Sequence, residues 1–248
     1  MSMHRLENLN RWIKRLLLVI LLALVGLIAV YFYQGGWERM RNSRTLARLI
    51  PSDFFQGPQV AIISGHRGFD SGAICKEDGL MEATINEGIA TKVVERLKQQ
   101  GVSAMLLDEY DPRLQGLHAR ALVSIHADSC VEKSGFKIAS AEETIIPEQD
   151  QMLVNCLKGK YGAATGLDYH PSAVTKDMTQ YHAFQRVADD TPGAIIEVGY
   201  LGGDRALLVN EQDKLAEAIV EGILCLLDWQ DAQTPEPEMT GAPAIATP

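Results

Sequence analysis

Val60-Ala61-Ile62-Ile63-Ser64-Gly65-His66-Arg67-Gly68 is the stretch on which the reading of this chain turns. Four apolar residues bounded by Ser-Gly read as a short buried strand. Glycines on either side of His66 allow the backbone to turn sharply at the strand's end. A histidine so placed projects from the carboxyl edge of a sheet, where open α/β folds gather their ligands. Alone, it reads more readily as a packed, hydrogen-bonded residue than as a functional one. Three more polar residues fall in similarly punctuated places: Glu82, His126 and Glu197.

Outward from this strand, helix-like and strand-like segments alternate. Met81, Ile85, Ile89, Val93 and Leu97 recur every four residues and predict a helix over Leu80–Gln100, closed by Gly101. Val102–Leu107 reads as a second strand, Ala121–Ala127 as a third and Gly135–Ala139 as a fourth. Pro147–Tyr161 reads as a helix, Ala194–Val198 as another short strand, and Gln212–Trp229 as a final amphipathic helix. The alternation predicts an α/β domain with a central, mostly parallel sheet and helices on both faces, spanning residues 59–230.

Two histidines and a carboxylate are a common protein set for a catalytic Zn²⁺. Strands ending at one sheet edge would bring His66 and His126 together, and the loop before the long helix would return Glu82 to the same point. Each has a plainer reading: Glu82 as a first-turn acid complementing the helix dipole, His126 as a hydrogen-bonded edge residue between Ser124 and Asp128. Glu197 is the sharper case. It interrupts the apolar run AIIEVGYL, where an unpaired carboxylate is costly to bury, and it suits a general base. His182 and His170 are candidates for lining a substrate groove, while His118 is expected only to cap or pack.

The order IISGHRG, GLMEATIN, ALVSIHAD and AIIEVGYLGGD, followed by a terminal helix, resembles the zinc-dependent N-acetylmuramoyl-L-alanine amidases of the amidase type 3 family over about Val60–Trp229. The resemblance implies zinc on His66, Glu82 and His126, with Glu197 as the catalytic acid and base. It implies hydrolysis of the amide joining N-acetylmuramic acid to L-alanine in peptidoglycan. Arg67 stands where a second glycine is usual, Asp128 where asparagine is common, and Gly202-Gly203-Asp204 replaces the more usual Ser-Asn. Two rival readings are another zinc amidohydrolase or carboxypeptidase on a related scaffold, and a non-catalytic wall-binding module.

The flanks speak to location. Leu16–Tyr33 is an uncharged run whose helix, at about 1.5 Å per residue, would approach the ~30 Å core of a bilayer. Tyr31, Tyr33 and Trp37 stand at its far end, as interfacial aromatics do. No small-x-small site follows closely, so residues 16–36 are expected to be an uncleaved transmembrane signal anchor rather than a cleaved signal peptide. Residues 1–15 form a basic N-terminus, 37–58 a juxtamembrane linker, and 231–248 a disordered tail rich in Pro, Ala and Thr.

Basic residues flank the span equally, four on each side, so charge does not orient it. A wall substrate would place residues 1–15 in the cytoplasm and the domain outside, facing the cell wall. Residues 51–248 carry 15 basic and 30 acidic residues, which excludes nucleic acid as a natural partner. Peptidoglycan and the membrane remain the expected partners, with a protein activator left open. The four cysteines show no CxxC spacing; a disulfide among Cys75, Cys130 and Cys156 is open, and Cys225 is expected to be core.

Overall fold

In the computed structural model, residues 58–233 are described. The anchor expected at 16–36, the segments on either side of it and the tail beyond residue 233 lie outside the described residues. Among the described residues no helix is long and apolar enough to cross a membrane.

Five strands form one sheet: β1 (Val60–Ser64), β2 (Ala104–Leu107), β3 (Ala121–Asp128), β4 (Lys137–Ala139) and β5 (Gly193–Tyr200). Their order is β2-β1-β3-β5-β4. The first four in that order run parallel, and the short edge strand β4 is antiparallel to β5. The mostly parallel sheet expected from the alternation is therefore present. β1 and β3 are neighbours, with Val60 opposite Ala121 and Ser64 opposite Ile125, so their carboxyl ends lie side by side.

Among the described residues the α-helices are α1 (Glu82–Gln99), α2 (Pro147–Thr165), α3 (Lys176–Thr179), α4 (Arg205–Asn210) and α5 (Gln212–Gln233). α4 had no counterpart in the sequence reading, and α5 continues beyond Gln230 into the expected tail. Side chains along a strand point alternately to opposite faces, and β1 divides its residues accordingly. Val60 and Ile62 join the larger core with the buried stripes of α1, α2 and α5, including Ile89, Leu157 and Ile219. Ala61 and Ile63 face a smaller core with Leu114, Met178, Tyr181 and Val187.

Helices on both faces are thus only partly realised. The three long helices share one face, and the segments around residues 107–119 and 174–187 cover the other. Those segments lack a long apolar stripe, so they close the face with turns and the single-turn α3.

Cys75 is bonded to Cys130 and Cys156 to Cys225. The second bond corrects the expectation that Cys225 is simply a core residue. Helical phase placed it on the apolar side of α5, but its neighbour across the α2–α5 interface is another cysteine. Closing a loop of 69 residues removes unfolded-chain entropy worth about 4 kcal/mol in the chain-entropy account. The double variant Cys156→Ser/Cys225→Ser should therefore lose up to about 4 kcal/mol of unfolding free energy, read from urea unfolding. An unchanged midpoint would refute that contribution.

Candidate metal centre

At the end of β1 the amide of Gly65 still donates to Ile125 O, at 3.0 Å, and then the chain breaks from the sheet. His66 itself takes the left-handed conformation, φ 67°, which a side chain disfavours. Gly65 has another duty. A Cβ there would lie 2.4 Å from the His126 ring, so glycine is needed for space. At Gly72, φ 59°, a Cβ would lie 2.5 Å from Glu82 Oε2 and 2.8 Å from His66 Cδ2. The flexible residues around GHRG therefore surround the site closely as well as turning the chain.

The expected convergence is present. His66 Nε2 lies 3.1 Å and His126 Nδ1 3.2 Å from Glu82 Oε1. One ligand-type atom from each residue falls within 4.8 Å of the other two. Glu82 opens α1, yet its side chain folds back to the sheet edge instead of only complementing the helix dipole: Oε2 accepts from Ala73 N–H at 3.1 Å and Oε1 from Asn86 Nδ2 at 3.2 Å. The disulfide Cys75–Cys130 ties the loop between His66 and Glu82 to the chain just after His126.

Electrostatics fit a cation. A hydrogen bond to Glu82 leads the influences that raise His66 to about 9, against the opposing effect of burial. Burial opposes the ionised form of Glu82, but bonds from His126 and His66 outweigh it and hold the carboxyl well below its usual range. Burial likewise opposes charge on His126, yet Glu82, Glu197 and Glu109 together raise its pKa. The cluster thus holds protons between an anionic carboxylate and two imidazoles. A divalent ion with this donor set would displace them.

His66 Nδ1 meets Asp70 Oδ1 at 2.5 Å, which turns Nε2 toward Glu82. Asp70 escaped the sequence reading, although an acid four residues beyond the histidine in a tight turn was the available signal.

Glu197 stands beside His126 in the register of β3 and β5, with Lys137 of β4 on its other side. Its Oε2 is buried and has no hydrogen-bond partner. Burial pushes its pKa up to about 7, with the charge of Glu82 adding to the rise and those of His126 and Lys137 opposing it. Lys137 is itself buried and pairs with Asp128 at 2.5 Å, which gives this position a use for an acid in place of an amide.

His182 reaches the edge of the site, its Nε2 2.8 Å from Glu109 Oε1. His170 is directed elsewhere, to Ser134 O at 2.9 Å, and His118 makes a surface contact with Asp190 at 2.8 Å. Sequence reasoning missed Glu109 and Tyr181. Glu109 lies among several acids in the turn LLDEYDP, with no spacing to mark it.

The pattern of the N-acetylmuramoyl-L-alanine amidase family, Amidase_3, matches residues 60–225. Among solved structures, the chain is similar to the N-acetylmuramoyl-L-alanine amidase AmiC2 of Nostoc punctiforme, at 25% identity and TM-score 0.53, covering 68% of this chain and 96% of that one. It is also similar to the catalytic domain of the amidase CwlV of Bacillus (Paenibacillus) polymyxa var. colistinus, at 25% identity and TM-score 0.51, covering 68% and 97%. The amidase Ami1 of Mycobacterium smegmatis shares the fold, with TM-score 0.57 at 20% identity, covering 70% and 98%. No curated protein matches the chain.

Proposed function

Because the chain belongs to the N-acetylmuramoyl-L-alanine amidase family, and is an enzyme that hydrolyses the amide bond between N-acetylmuramic acid and L-alanine in peptidoglycan, we propose that it does so with zinc held by His66, Glu82 and His126 and with Glu197 as the acid–base residue. The observation that carries this reading is the meeting of two imidazole nitrogens at one carboxylate oxygen. Two nitrogens and an oxygen are a donor set that zinc accepts while keeping a position open. When bound, the metal polarises the amide carbonyl and makes water a better nucleophile.

The protein's own residues supply the rest. Asp70 keeps the His66 ring aimed inward. Glu197, unpartnered at Oε2, takes the proton from the attacking water as oxygen bonds to the carbonyl carbon. It then delivers that proton to the departing nitrogen as the C–N bond breaks, releasing a free L-alanine amine. Burial pushes the Glu197 pKa up and a cation beside it would push it down, opposing influences that suit a group which both takes and returns a proton.

Location belongs to the same proposal. The substrate lies outside the membrane, the apolar run at 16–36 would tether the domain, and two disulfides suit an oxidising compartment. Residues 1–15 would then be cytoplasmic and the domain would face the wall. A relative of the same fold, the CwlD amidase of Clostridioides difficile, was solved in complex with the GerS lipoprotein, so a protein partner belongs to the same proposal.

Purified full-length protein should release intact stem peptides with free L-alanine amines from peptidoglycan, as mass analysis would show. Treatment with a chelator should abolish this release and Zn²⁺ should restore it. Activity that persists unchanged after complete metal removal would sink the zinc assignment. Cleavage within the stem peptide would instead favour a carboxypeptidase, and zinc binding without any cleavage a wall-binding module.

A further inference from the structure

Glu109 is a buried carboxylate that the reaction as described does not use. It follows β2, an edge strand, and grips the His66 turn in both directions. Its own N–H donates to Arg67 O at 3.0 Å, and its Oε2 accepts the His66 N–H at 2.9 Å. Those bonds hold the one described residue that adopts a left-handed conformation without being glycine. Its Oε1 accepts from Tyr181 Oη at 2.8 Å and meets His182 Nε2 at 2.8 Å, so the carboxylate is fixed from the opposite side as well.

The remaining neighbour is His126. Its Nδ1 faces Glu82, while Nε2 is buried with no hydrogen-bond partner. Glu109 Oε2 lies 3.5 Å from that nitrogen, beyond an ordinary hydrogen bond but within ion-pair range. Asp70 and Glu109 therefore stand in matching places, one carboxylate against the outward nitrogen of each imidazole.

We propose that Glu109 is the positioning residue of the two metal-ligating histidines. It clamps the strained His66 turn through the backbone and keeps the His126 proton on Nε2, leaving the Nδ1 lone pair to face the ion. This rests on the reading of His66, Glu82 and His126 as metal ligands. The physical reason is general: a carboxylate facing the outer ring nitrogen favours the proton there and so leaves the other nitrogen free and more basic, and losing such a partner commonly costs 10- to 100-fold in metal affinity. Tyr181 and His182 act through Glu109, holding it where both histidines need it.

The test uses the full-length chain. Zn²⁺ affinity is measured by competition with a chromogenic chelator for the wild type and Glu109→Gln, and each is loaded with Co²⁺ for its visible absorption. Glu109→Gln keeps the shape but presents one amide nitrogen where a carboxylate accepted bonds. It should bind Zn²⁺ about 10- to 100-fold more weakly, with a shifted Co²⁺ band. A purely structural role would lower only the melting temperature of the metal-free protein. Zn²⁺ affinity within threefold of wild type together with an unchanged Co²⁺ band would overturn the proposal.

A second measurement needs no variant. Imidazole ¹⁵N spectra of the zinc-loaded wild type should show His126 protonated at Nε2, and a proton on Nδ1 would reject the role. Failure of the underlying metal site looks different: the wild type itself would not take up zinc, or His66→Ala would take it up as well as wild type. In that case Glu109's role falls with the site.

Discussion

Glu197→Gln should slow peptidoglycan amide cleavage about 10²- to 10⁴-fold, the usual worth of a positioned acid–base group, while zinc content stays at the wild-type level. Glutamine keeps the size and polarity of the side chain but cannot carry the proton between water and the leaving amine. The wild-type rate should fall at acid pH, because the base must be ionised to accept the first proton; burial raises the Glu197 pKa to about 7 in the metal-free protein, and a bound divalent cation would move the limb below that value. This acid limb should disappear from the residual activity of the variant. Wild-type turnover in Glu197→Gln would remove it from the chemistry.

Stability moves the other way. A carboxyl raised above its ordinary 4.5 favours the folded state while it is neutral. That contribution is fully present below about pH 4.5 and is lost as pH rises through about 7. At pH 8 the metal-free Glu197→Gln protein should therefore be the more stable, by an amount on the order of 3 kcal/mol. Urea unfolding at pH 5 and pH 8 measures the difference; a variant less stable than wild type at both values would contradict the burial argument. Activity lost and stability gained in one substitution is the signature of a residue kept for chemistry.

The second large effect is expected from a methyl group. Gly65→Ala would place a carbon 2.4 to 2.6 Å from three atoms of the His126 ring, which no real packing permits. His126 is buried against Tyr181 and Glu82, so the ring has little room to retreat. A displacement of about 1 Å at such a site can cost about 10²-fold in rate, and zinc affinity should fall with it. Gly159→Ala is the control. Its Cβ meets nothing in α2, and alanine is the better helix former, so stability should rise by up to about 1 kcal/mol with activity unchanged. Equal activity in the Gly65→Ala and Gly159→Ala variants would show that the ring is not held as described.

Much of the site was legible because each of its elements carries a local signature. The apolar run before Gly65 marks β1, the four-residue stripe from Met81 to Leu97 marks α1, and a glutamate within AIIEVGYL is conspicuous on polarity alone. Asp70 offered only its spacing of four from His66, and Glu109 offered nothing. Each stands in a polar turn where acids are common, and what sets it apart is the imidazole nitrogen it faces. The same holds for Cys225, whose helical phase is that of a core residue whether or not Cys156 lies across the interface.

The sequence by itself determined the parallel α/β framework and singled out the four residues of the candidate centre, since strand and helix periods and isolated polar residues are properties of short segments. Tertiary structure alone decided that β1 and β3 are neighbours, which brings His66 and His126 to a ring separation of 5.0 Å. It also decided that the long helices share one face and that Glu109 supports both histidines. Those outcomes depend on which distant segments meet, and a linear pattern records only what each segment needs, not the partner that satisfies it.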